Sequence, residues 1–138
     1  MVDVVLQLHG WNLILVLASS LITGIWGLVR YFTKKTELGR SWRNALFITA
    51  ILALLQGVFG VTLVLLGQKP GAAGDSLYYL HYVYGGIVAL AIPVAYTYTT
   101  SGTKPRWVIL IYSLAALVLF AAGFRAWMTG PPTWPWLP

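Results

Sequence analysis

Four stretches of the chain carry almost nothing but apolar side chains: Val4 to Val29, Ala45 to Leu66, Leu77 to Tyr98, and Trp107 to Met128. Each reaches the roughly 20 residues a helix needs to cross the hydrocarbon core of a bilayer. Polar residues do not alternate within them. A helix that is apolar all round is buried in protein or lipid on every side. The polar and turn-forming residues fall between the runs: Thr33 to Arg43 is basic, Gly67 to Asp75 is rich in glycine with Pro70, and Ser101 to Arg106 holds Gly102 and Pro105. Connections this short join antiparallel neighbours, so the pattern predicts an all-α fold, a four-helix transmembrane up-down bundle over residues 1–130. Residues 131–138, with Trp134 and Trp136 among prolines, make a Pro/Trp-rich tail that cannot continue a helix. It is predicted to lie on the outer membrane surface or against a partner.

Composition narrows this further. A chain of 138 residues is one domain at most, and 59% hydrophobic with 9% charged residues lies far outside the range of water-soluble domains. Membrane lipid is therefore its first partner. The absence of cysteine excludes disulfides, thiolate metal sites, iron–sulfur clusters and covalently attached c-type haem. The net charge of +6 is not accompanied by any nucleic-acid-binding pattern, and its placement speaks to topology instead. Arg30, Lys34, Lys35, Arg40, Arg43, Lys104 and Arg106 border the first and third connections, leaving Lys69 and Arg125 for the opposite end. By the positive-inside rule those connections are cytoplasmic and both termini lie outside, N-out/C-out. The membrane is expected to be a prokaryotic cytoplasmic (inner) membrane. The first apolar run is preceded by Asp3 and no basic stretch, so it reads as a retained helix rather than a cleaved leader. Trp11, Trp26, Tyr31, Trp42, Tyr78, Tyr79, Tyr98, Trp107 and Trp127 stand near predicted helix ends, where interfacial anchoring accounts for nearly all of them.

Ionisable residues inside a bilayer are costly and tend to face a bundle interior or a cavity. His9 and His81 are the only histidines, and each sits near the outer end of an odd-numbered helix. Helices one and three run the same way and are diagonal partners in a square bundle. With neighbouring axes about 8–10 Å apart, the diagonal of about 11–14 Å suits two inward imidazoles with an iron between them. Arg125 lies at the same end, where a guanidinium could pair with a haem propionate. Gly10 adjoins His9, Gly85 and Gly86 follow His81 by one turn, and the second helix contributes Gln56, Gly57 and Gly60, a polar group with a flat face beside it. Simpler accounts stand beside these: interhelical hydrogen bonding for the histidines, snorkelling for Arg125, and helix packing for Gly57 and Gly60. A zinc site lacks ligands, since Asp3, Glu37 and Asp75 all fall outside the spans. A proton pump lacks an intramembrane carboxylate. No nucleophile with a neighbouring base is visible. Pro93 in the third helix reads as a kink.

A weak internal repeat sets Leu8-His9 against Leu80-His81, and Gly60 and Gly67 against Gly123 and Gly130. If the halves are related by a pseudo-two-fold axis along the membrane normal, His9 and His81 are symmetry mates.

The stretch Leu54-Leu55-Gln56-Gly57-Val58-Phe59-Gly60-Val61-Thr62, followed after a loop by Leu80-His81, resembles the Gln-x-x-x-Gly helix and Leu-His helix in one half of haem A synthase. The opening Leu8-His9-Gly10-Trp11 is similar to the small bacterial four-helix cytochrome b-like membrane proteins, and the likeness extends to Gly130. It implies one haem b between His9 and His81 as metal ligands, and electron transfer with a redox partner protein or a larger respiratory or photosynthetic complex. A quinone is an open second cofactor and quinol an open partner. Haem A synthases also carry Glu-x-x-His-Arg, whereas here Leu6 and Gly10 occupy the positions flanking His9, so that catalytic element is absent. A non-catalytic electron carrier is the leading expectation; a haem-free accessory subunit and a haem A synthase-like enzyme remain as alternatives.

Overall fold

A computed structural model describes residues 1–34, 37–71, 77–99 and 102–130. Four helices follow one another along the chain: α1 Val2–Phe32, α2 Arg40–Leu65, α3 Tyr79–Tyr98 and α4 Pro105–Met128. All four are long and apolar enough to cross a membrane. The expected tail at 131–138 lies outside the described residues.

Helix ends differ from the apolar runs where backbone chemistry takes over from hydropathy. α1 runs past its apolar stretch at both ends, and α2 starts five residues before Ala45, because nothing in Val2, Asp3, Arg30 or Arg40–Asn44 breaks a helix and their side chains are at home at a lipid–water boundary. α3 starts later than predicted. Leu77 and Tyr78 form a tight turn in which Leu80 N–H donates to the Leu77 carbonyl at 3.0 Å and His81 N–H to the Tyr78 carbonyl at 3.1 Å. Pro105 opens α4 at a position where its missing N–H costs nothing. α2 stops at a glycine: Gly67 takes φ +77°, its N–H reaches the Val64 carbonyl at 2.9 Å, and Gln68 N–H reaches Leu63 at 2.9 Å. That is a Schellman stop, and it satisfies carbonyls the helix would otherwise leave bare.

The helices pack in a ring in chain order, α4 closing against α1. Among the described residues α1 and α3 have no Cα pair within 8 Å, so they occupy the long diagonal. The centre is filled by Val16, Ala53, Val88, Ile92, Leu119 and Ala122. Outward faces are apolar too: Ile22, Val29, Phe47, Val58, Leu90 and Val118 are each more than half exposed, an arrangement suited to lipid and hostile to water. The protein is thus a multi-pass membrane bundle.

Without water to drive helices together, close backbone approach does the work. α1 presents Gly24 and Gly27 to α4: a Cβ on Gly24 would fall 2.7 Å from Leu117 Cγ, and one on Gly27 would fall 2.0 Å from Ser113 Oγ. Buried hydroxyls return to their own helices, Thr49 to the Ala45 carbonyl at 2.9 Å and Ser113 to Ile109 at 2.6 Å. Thr23 and Thr49 also meet across α1 and α2 at 3.2 Å. Trp42 corrects the interfacial reading of the tryptophans. It is 1% exposed, its indole N–H donates to the Thr23 carbonyl at 3.1 Å, and it fills the space that Gly27 leaves open.

Candidate functional site

His9 and His81 come together at one end of the bundle. Their ring centroids are 6.2 Å apart with the planes inclined at 48°. They meet although α1 starts about two turns before His9 while His81 lies in the first turn of α3. α1 simply overhangs its diagonal partner at this end. The space between the two backbones is bridged by the imidazoles.

Each ring leans on the helix that follows its own. His81 Nδ1 lies 2.9 Å from the Ala126 carbonyl oxygen of α4. A carbonyl can only accept, so Nδ1 carries the proton and Nε2 keeps its lone pair. Metal-bound histidines are oriented by a bond of this kind.

His9 is held through a chain of amides. Asn12 Nδ2 donates to the Leu52 carbonyl at 2.9 Å and to Gln56 Oε1 at 2.8 Å. Because the Leu52 oxygen accepts only, the amide orientation of Asn12 is determined, and that of Gln56 follows from it. Gln56 Nε2 therefore faces His9 and stands 3.3 Å from both Nδ1 and Nε2. Both distances exceed the range of about 2.7–3.2 Å for a good bond. The amide touches the ring without committing to either nitrogen, and one nitrogen stays available. Asn12 and Gln56 are themselves buried, 7% and 6% exposed.

The remaining sequence-predicted residues divide. Gly60 faces the site: a Cβ there would lie 3.6 Å from His9 Cε1. A Cβ on Gly130 would lie 3.8 Å from His81 Cε1. Around Gly85 there is nothing within 4 Å of an added Cβ, which leaves open space one turn from His81. Gly57 serves helix packing, since a Cβ on it would meet that of Ala89 at 3.0 Å. Arg125 is exposed, with its Cζ 5.7 Å from the Tyr84 ring centroid and Nη1 3.7 Å from Met128 Sδ. It shares the level of the histidines but is turned along the α3–α4 face.

Sequence reasoning missed two partners. Asn12 is uncharged and drew no notice, although its place three residues after His9 puts both on one helical face. The Ala126 acceptor is a backbone atom and has no sequence signal. Under the register that sets Gly60 against Gly123, Gln56 falls against Leu119. The second half therefore has no side-chain amide to offer, and His81 takes a carbonyl instead.

Among the described residues no group of three or more His, Cys, Asp or Glu side chains could hold a metal ion. Two imidazoles alone are the donor set. Such a pair suits an ion whose other ligands arrive with it, as the four nitrogens of a porphyrin do for iron. Two imidazoles on opposite sides of one ion, at about 2.0 Å per nitrogen, hold their centroids about 6 Å apart. No protein-family model, curated protein or solved structure matches the chain.

Proposed function

We propose that the protein is a membrane b-type cytochrome in which His9 and His81 would hold one haem b through its iron, acting in electron transfer as a subunit of a respiratory or photosynthetic complex. The observation that carries this reading is the 6.2 Å spacing of the only two imidazoles, which meet from α1 and α3 across the diagonal of the bundle. The likeness of the Leu-His and Gln-x-x-x-Gly stretches to cytochrome b-like proteins and haem A synthase points the same way.

Haem b would supply a one-electron iron couple. The chain's own residues do the rest. The Ala126 carbonyl fixes the ring of His81 with Nε2 directed away from α4. Gln56, itself held by Asn12, restrains His9 more loosely. Gly60 and Gly130 leave room beside the rings of His9 and His81. Leu13, Val16 and Val88, farther into the bundle, exclude water beneath them.

A second reading has a specific observation in its favour: His81 already has a good partner in Ala126, and Asn12 and Gln56 satisfy one another. In that reading the histidines only tie helices together in a haem-free accessory subunit. Separate His9→Ala and His81→Ala variants distinguish the two. Each is expected to insert into the membrane and lose low-spin haem; a variant that keeps the wild-type low-spin spectrum overturns the ligand assignment.

A further inference from the structure

At the basic end of the bundle, opposite the histidines, α2 and α3 part and leave an open groove of about 410 Å³. That volume falls within the range of about 300–1,000 Å³ typical of ligand sites. Trp42, which also lines the groove, packs over Gly27 and bonds to the Thr23 carbonyl, holding the start of α2 against α1. Leu46, Phe47 and Ala50 of α2 form one wall, Ile92 and Pro93 of α3 the other, and Tyr112 of α4 lies between them. Nearly all of this surface is apolar, and the polar side chains are at one end.

Charge gathers at that end. Arg43 lines the groove itself. Arg40 lies a turn earlier, and Lys104 and Arg106 begin α4 beside Val108, another lining residue. α2 and α4 both start here with no side-chain cap, so two helix N-termini add their positive dipole ends. Arg30 of α1 lies against the segment that leads into α2. Its guanidinium lies against Gly39, where a Cβ would fall 2.9 Å from Nη1, and its Nε is buried without a hydrogen-bond partner. Asp and Glu are scarce: Glu37 is the one carboxylate among the described residues between Arg30 and Arg43, and Arg30 meets its backbone oxygen rather than its acid group.

An apolar trough that ends in cations at the membrane boundary matches an amphiphile with an anionic head. We propose that this groove binds one anionic phospholipid, with an acyl chain along Leu46, Ala50 and Ile92 and the phosphate at Arg43 beside the starts of α2 and α4. Basic pockets between helices on the cytoplasmic side take anionic headgroups in this way. The site is independent of the haem reading and stands or falls separately.

The test uses the whole chain in detergent, titrated with phosphatidylglycerol or phosphatidylcholine and followed by native mass spectrometry. One phosphatidylglycerol should be retained in preference to phosphatidylcholine, and Arg43→Gln should lower that preference about fivefold, the factor expected for loss of one cation. Ala50→Phe, which obstructs the trough and leaves the charges, should release both lipids. Millimolar inorganic phosphate should not displace the lipid, because it has no chain to bury. Equal retention of the two lipids, a preference unchanged in Arg43→Gln, displacement by phosphate, or occupation by a quinone or a second copy of the chain would each overturn the proposal.

Discussion

A glutamine amide has a donor end and an acceptor end, and Gln56 uses both, receiving from Asn12 and offering its N–H groups to His9. Removing either amide leaves the other with an unmatched group in an apolar setting. Double-mutant cycles on Asn12→Ala and Gln56→Ala should therefore give a coupling energy of about 0.6 kcal/mol, the mean for hydrogen bonds between membrane helices, and no more than about 1.7 kcal/mol. Additive single variants, read from unfolding in micelles, would show that the bond contributes nothing. Arg125 raises a different question. Its charge lies over Tyr84 at the histidine end, and reduction of a haem there adds a negative charge that a cation stabilises. Arg125→Gln should then keep the low-spin spectrum and lower the midpoint potential by an amount on the order of tens of millivolts. An unchanged potential would assign Arg125 to the headgroups. The histidine pair was legible in the sequence because two lone imidazoles on alternate helices at one end have few places to go. Asn12 and the Ala126 carbonyl were not, because neither charge nor composition marks them.

Helix existence follows from apolar length, whereas helix contacts follow from small residues that hydropathy ignores. The four runs marked out the helices to within a few residues, and turn residues such as Gly67 and Pro105 marked two of the ends. The seam between α1 and α4 was not visible in the same way. Gly24 and Gly27 look like any glycines of a membrane helix until Ser113, Leu117 and Trp42 are set against them. Trp42, too, sits near a helix end in sequence and is a core residue in space, since the glycine opposite makes room for it. Gly27→Ala would push a methyl into Ser113 Oγ and the hydrogen-bonded indole of Trp42, a strain of about 1–3 kcal/mol. Gly102, with nothing within 4 Å of an added Cβ, is the matching control, and Gly102→Ala should change stability by less than about 0.5 kcal/mol. Equal unfolding curves for the two variants in micelles would contradict the packing described for α1 and α4.

At the scale of the whole molecule, the bundle has a basic end and a histidine end, and the positive-inside rule would place the first in the cytoplasm. Because the chain has no cysteine, single substitutions report topology cleanly. In intact cells an impermeant thiol reagent should label Gln68→Cys and spare Glu37→Cys, and the reverse pattern would move the histidines to the cytoplasmic side. Haem binding depends most directly on the gap between the two imidazoles. Its most direct test is the absorption spectrum of the purified wild-type protein, oxidised and then reduced with dithionite. A Soret band that shifts on reduction, with a sharp alpha band of low-spin haem b at one haem per chain, is the predicted result. Protein that remains folded and helical, purified from haem-replete cells and incubated with added haem, yet shows no such bands, would contradict it and leave His9 and His81 as ties between helices.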